Sequence, residues 1–181
     1  LADKPLVDAA LSIRGEGGRP AEIRNLFHRS GGDFSENISL EAEMIVPRQG
    51  VDDLGKSAKA SITFLRYNLE LAYRPSPEAG SAGELEIKRE ELLPIRLGDA
   101  KKHLPFPHRP NWRKSVVQGR RARALISTVS EGEKAVIKLH QDARGGNPIT
   151  RLASILPRTV LSSTNAAENP TALLARREMQ S

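Results

Sequence analysis

Residues 62–74 read ITFLRYNLELAYR. Leu65, Tyr67, Leu69, Leu71 and Tyr73 recur at every second position, with Arg66, Asn68 and Glu70 between them and Arg74 after them. On a helix these apolar groups would scatter around the axis. On a pleated strand they share one face, so the pattern predicts a half-buried antiparallel strand.

That strand decides how the stretch before it is read. Residues 50–57, GVDDLGKS, fit the phosphate-loop pattern G-x-x-x-x-G-K-[ST]. Such a loop leaves a buried strand, cradles phosphate on backbone N–H groups and opens a helix at the Lys-Ser/Thr pair. Here the five residues 57–61 leave room for about one helical turn before the strand starts, where an average helix has three. Upstream, residues 37–47 (NISLEAEMIVP) set Ile38, Leu40, Ala42, Met44 and Val46 against Ser39, Glu41 and Glu43, which is another half-solvated antiparallel strand. Asp52 and Asp53 would sit inside the cradle and repel a triphosphate. The expectation is a polar loop joining two antiparallel strands, with Lys56 and Ser57 idle. An autonomous phosphate-loop nucleotidase is the weakest reading.

Outward from this pair, residues 5–13 (PLVDAALSI) predict a short helix ending near Gly15, and residues 20–29 (PAEIRNLFHR) predict a second. A proline- and glycine-rich loop at 74–83 precedes the alternating run 84–90 (ELEIKRE), which makes a hairpin with an enlarged tip. From Leu92 onward Pro94, Pro105, Pro107 and Pro110 predict loop with short strands. Short strands are expected at 115–118, 124–128 and 135–141, and a loop at 144–148. Asn169-Pro170 is a good N-cap followed by proline at the first helical position, so 171–180 should be helix anchored by Leu173, Leu174 and Met179. The fold class expected is α+β: a mostly antiparallel sheet with two short N-terminal helices and a C-terminal one. Residues 1–36 form a helical lead-in, 37–141 the sheet with its proline-rich basic loop, and 142–181 a loop and the last helix.

With 181 residues the chain can bury a real core in one domain. It has no cysteine, which excludes disulfides, thiolate metal sites and a cysteine nucleophile. No apolar run approaches transmembrane length and nothing resembles a leader peptide, so a cytoplasmic location without membrane contact is expected. The first residue, Leu1, and the stop at Ser181 within a helical pattern point to a piece of a longer protein.

The net charge of +6 is concentrated. Residues 96–125 carry nine basic side chains against Asp99 alone, a local balance of +8 that leaves the remainder of the chain at −2. Lys101, Lys102, Arg113, Lys114, Arg120, Arg121 and Arg123 are the candidate nucleic-acid contacts; an acidic partner surface or, with Phe106 and Trp112 the only rings nearby, a plain solvated basic loop are the alternatives. His103 and His108 are five apart and lack a carboxylate nearby to complete a ligand set, so no metal site is expected. Glu90 and Glu91 should point to opposite faces of a strand at a solvated edge. No nucleophile elbow is present, and the chain by itself carries no complete active site.

Four stretches carry a resemblance: 64–74 (FLRYNLELAYR), 98–108 (GDAKKHLPFPH), 136–142 (VIKLHQD) and 159–181 (TVLSSTNAAENPTALLARREMQS). Together they resemble the middle of bacterial AAA-family ATPases of the RecF/SMC-like, ABC-type class. The resemblance implies an internal segment of an ATPase head, lying after the true phosphate loop and before the signature and acidic nucleotide motifs. It implies ATP binding and hydrolysis with Mg²⁺ by the intact protein, an ATP-dependent homodimer, contact with the remainder of the head, and a DNA or other partner. No catalytic, cofactor-binding or metal-binding residue carries over to a position here. The competing expectation is a free-standing basic β-rich nucleic-acid-binding module.

Overall fold

The computed structural model describes residues 4–12, 23–24, 26–31, 33–75, 83–132, 134–142 and 146–181. Its centre is a six-stranded antiparallel sheet. The strands are β3 (Asn37–Ile45), β6 (Phe64–Arg74), β7 (Glu84–Pro94), β8 (Ile126–Glu131), β9 (Lys134–Leu139) and β10 (Ile149–Leu152), and they lie side by side in chain order. Two small hairpins accompany it: β1 (Arg29–Ser30) with β2 (Asp33–Phe34), and β4 (Gln49–Val51) with β5 (Ser57–Lys59).

The alternation read from β6 is the reason the sheet has two unlike faces. Leu65, Tyr67, Leu69 and Leu71 are buried and face Met44, Ala42, Leu40 and Ile38 of β3 across the ladder. That inner face packs on α1 (Leu6–Ser12), on α4 (Pro170–Glu178) and on the 3-10 turns Ala153–Ile155 and Leu161–Ser163. The outer face carries Glu41, Glu43, Arg66, Asn68 and Glu70. At one end it is covered by a second apolar cluster of Phe64, Ile95, Ala100, Leu104 and Val117, where α2 (Ala100–His103) docks.

One irregularity reshapes the centre. Glu70 faces Arg89 but Leu71 faces Ile87, so Lys88 is an extra residue on β7. A bulge of this kind shifts the phase of everything beyond it by one position. Leu85 and Ile87 point inward before the bulge; after it, Glu90 and Leu92 do. Glu90 is therefore not at a solvated edge, as its sequence context predicted, but completely buried in a central strand. Glu91 keeps to the other face, where Arg89 pairs with it at 2.8 Å.

The helices differ from expectation in number and place. α1 matches its prediction. Within 20–29 the described residues Ile23, Arg24 and Leu26 form 3-10 turn and Arg29 already belongs to β1, while 20–22 and 25 lie outside the described residues. The region after Leu92 is more helical than its prolines suggested. β7 runs on to Pro94, α2 follows, and α3 (Pro110–Val116) starts on a proline at its first position, where the missing N–H costs nothing. Ser115 and Val116 thus end a helix instead of opening a strand. Beyond them only an isolated bridge from Ile62 to Gly119 continues the ladder. Gly119 is required there: its φ is +93°, and a Cβ would lie 2.0 Å from the Ser61 carbonyl oxygen. The expected loop at 144–148 precedes a strand the sequence had not suggested, β10, and 143–145 lie outside the described residues. Most of the loop at 74–83 is likewise outside them.

α4 begins as its sequence dictates. Asn169 Oδ1 accepts from Ala172 N at 2.8 Å with Pro170 at the first position. Leu173 and Leu174 are buried, while Met179, expected as a third anchor, lies past the last turn and is 36% exposed.

Candidate nucleic-acid interface

The GVDDLGKS stretch is a hairpin tip. Val51 pairs with Ser57, and Ser57–Lys59 is a strand, so no helix begins at Lys56. The amides that a phosphate would need are already taken. Asp52 Oδ1 accepts from Leu54 N at 3.0 Å and Lys56 N at 2.8 Å, and Gly55 closes the turn at φ +78°. The Lys56 amide is the main reason that the Asp52 carboxyl titrates below its usual range. Asp53, the second acid, turns to α4 and pairs with Arg176 at 2.9 Å and Arg177 at 3.2 Å.

The N-terminus of α4 is likewise filled from within. Asp142 Oδ2 accepts from Thr171 N at 2.7 Å, and its Oδ1 takes Ser61 Oγ at 2.7 Å and Arg121 NH1 at 3.0 Å. Both charged side chains of that pair are 11% exposed. Arg121 also donates to the carbonyls of Arg123, Ala124 and Gln141, which engages all three nitrogens of its guanidinium. Among the seven candidate contacts, Arg121 is therefore a strut that joins the 119–124 segment to α4, and it does not face solvent as a free cation.

The other candidates divide by exposure. Lys101 and Lys102 lie on the exposed side of α2, with Lys102 3.6 Å from Asp99. Lys114 on α3 is exposed, while Arg113 is half-buried and donates from NH1 to His108 Nε2 at 3.1 Å. Arg120 and Arg123 are exposed, and with Lys101 and Lys114 they make no ion pair among the described residues. Arg96 and Arg109, which the candidate set omitted, are exposed in the same region and equally unpaired among the described residues. An open groove of about 730 Å³ runs between residues 96–98 and Val117, Gly119, Arg120, Arg121 and Ala122. Arg96 and Arg120 stand on its two walls, and cations arranged in this way attract a polyanion over a Debye length of about 8 Å at physiological salt.

α2 is fixed to the sheet by a charged clamp. Arg66 Nε and NH2 donate to Glu43 Oε1 at 2.9 and 2.7 Å, and His103 Nδ1 lies 2.7 Å from the same oxygen. The same Nδ1 lies 2.9 Å from Arg66 NH2, and the ring edge rests on Phe64 with centroids 6.3 Å apart. His140 has a different duty: its Nε2 meets Ser127 Oγ at 2.8 Å, and burial lowers its pKa, with the Arg121 charge adding to the effect.

Glu90 is a strongly perturbed group. Its carboxylate accepts from Val160 N at 2.7 Å, Leu161 N at 2.8 Å and Tyr67 OH at 3.1 Å. Burial pushes its pKa up to about 7 against the pull of those donors, and burial likewise raises the Tyr67 phenol, aided by the Glu90 charge. Enclosed as it is, Glu90 cannot touch a substrate. It caps the 3-10 turn Leu161–Ser163 and joins that turn to the sheet. Thr128 Oγ1 completes the joint, accepting from Glu90 N at 2.8 Å and donating to Glu90 O at 2.9 Å, beyond the Leu92–Ile126 pair that joins β7 to β8. The sequence did hold a trace of this: apolar positions on β7 change phase between Ile87 and Leu92.

Among the described residues, no three His, Asp or Glu side chains converge as a metal site would require. No helix among them is long and apolar enough to cross a membrane. No family model, curated protein or solved structure matches this chain.

Proposed function

We propose that the chain is the antiparallel-sheet part of an ABC-type, RecF/SMC-like AAA-family ATPase head, whose exposed cations at 96–123 contact nucleic-acid phosphates. One observation carries the reading: the four stretches that resemble the family are tied to each other through polar side chains. Arg66 of the first and His103 of the second share Glu43. Tyr67 of the first and Leu161 of the fourth share Glu90 Oε1. Asp142 of the third holds Thr171 N of the fourth, and Asn169 Nδ2 of the fourth donates to the His140 carbonyl of the third at 2.6 Å. A frame of that kind suits a rigid body that transmits force between a nucleotide site and a surface, which is the task of an ATPase head.

On this reading ATP and Mg²⁺ are bound by other parts of the intact protein, and the hairpin 50–57 has no part in turnover. The chemistry would be in-line phosphoryl transfer, assisted by positioned amides, a lysine and the metal. The intact polypeptide should hydrolyse ATP in the presence of Mg²⁺, and Lys56→Ala should leave the rate unchanged. Absence of turnover, or its loss in Lys56→Ala, would reject the proposal. A second reading, a free-standing basic β-rich nucleic-acid-binding module, is favoured by the exposed Arg120 and Arg123, which form no ion pair among the described residues. It predicts nucleic-acid binding without any ATP turnover.

A further inference from the structure

Residues 104–116 read LPFPHRPNWRKSV and present rings to solvent. Phe106 is 47% and Trp112 38% exposed, although large aromatic side chains normally supply core area. α3 buries none of its residues, so packing does not explain a tryptophan on it. The rings of Phe106, His108 and Trp112 meet edge to face or tilted, with all three centroid separations 5.4 Å. The cluster is held in place. Pro105, Pro107 and Pro110 fix backbone torsions on both sides of it, His108 Nδ1–H donates to the Phe106 carbonyl at 2.8 Å, and Arg113 donates to the opposite ring nitrogen. Arg109 and Lys114 flank it on the same segment, both exposed and without an ion pair among the described residues.

We propose that the Phe106–His108–Trp112 cluster is a stacking platform for the unpaired bases of single-stranded nucleic acid, with Arg109 and Lys114 holding the phosphates on either side. This rests on the phosphate-contact reading of the basic surface and narrows its ligand to strands whose base faces are free. Every base has a π-face, so such a platform is tolerant of sequence, and a duplex hides those faces within its own stack. Rings already fixed by prolines and hydrogen bonds lose little conformational freedom on binding. Basic residues beside aromatic ones also suit anionic membranes, but α3 is seven residues long and its remaining apolar residue, Val116, packs on the Phe64 cluster. That leaves no continuous apolar stripe to lie in a lipid interface.

Trp112 is the single tryptophan of the chain, so its fluorescence reports on the platform directly. Affinity of the full chain, and of variants that lack Trp112, would be measured by the anisotropy of dye-labelled strands, using a thymidine oligonucleotide of about 20 residues, an abasic strand of equal length and charge, and a duplex, with co-sedimentation for phosphatidylserine vesicles. The thymidine strand should quench Trp112 and bind about tenfold more tightly than the abasic strand or the duplex. Combining Phe106→Ala with Trp112→Ala should bring thymidine binding down to the abasic level and leave abasic binding unchanged, while Trp112→Phe should retain most of the preference. Equal, unquenched binding of thymidine and abasic strands would overturn the platform and leave the charge reading standing. No binding of either strand would overturn both, and quenching by vesicles alone would give the surface to a membrane and reject the proposal.

Discussion

Glu90 shows how much one inserted residue can do. If Lys88 took a regular place in the ladder, strand alternation would put Arg89 on the core face; because it bulges out, a carboxylate goes inside and finds two amides and a phenol. The pH dependence follows in sign from its raised pKa. The folded protein holds the Glu90 proton up to about pH 7, whereas the unfolded chain releases it near 4.5. Between those values the native state binds more protons, so stability falls as pH rises through the window. The contribution is fully present below about 4.5 and lost above about 7, a change of about 3 kcal/mol at 1.36 kcal/mol per unit. Urea denaturation of wild type and Glu90→Gln across pH 4.5–8 would measure it. The stability of the wild type relative to the variant should decline over that range by about this amount, and a flat difference would exclude Glu90 as its source.

At the level of elements, Asp142 joins three parts, binding α4, the Ser61 loop and Arg121 at once. Asp142→Ala strands a guanidinium that is 11% exposed and leaves the Thr171 amide without its acceptor. Breaking a mostly buried pair from one side costs about 3–5 kcal/mol, and the solvent that still reaches this one places the loss at the lower end, which chemical denaturation would register. Elements were legible where local chemistry fixes them. Alternation gave β3 and β6, and Asn169-Pro170 gave the start of α4. They were obscure where a tertiary partner decides. Val116 looked like part of a strand, yet Pro110 starts a helix that carries it against Phe64. β10 owes its pairing to β9, four residues that announce nothing by themselves. The candidate site was legible in part: the charge density of 96–123 was visible in the sequence, but only coordinates turn Arg121 inward to Asp142 and leave Arg120 outside.

For the whole molecule this sorting of cations has a measurable result. Each phosphate neutralised contributes about −0.9 to the slope of log K against log salt on duplex DNA and about −0.7 on a single strand. Replacing Arg120 and Arg123 together by alanine should therefore reduce the magnitude of the slope by about 1.4 to 1.8 without loss of folding. Arg121→Ala should act the other way, lowering the unfolding midpoint by removing the partner of Asp142 while the slope barely moves. Equal slopes for wild type and the double variant would remove these arginines from the interface.

The strands of the sheet neighbour one another in the order in which the chain is written. A polypeptide leaving the ribosome can thus zip β6 to β7 and then add each later strand to the open side without waiting for distant sequence. Glu90 is the exception, since its amide donors at Val160 and Leu161 are synthesised 70 and 71 residues after it. Until they emerge, the middle of the ribbon carries a carboxyl group met by the Tyr67 hydroxyl and otherwise only by water or a proton, so the nascent sheet cannot close over its centre before Val160 and Leu161 arrive.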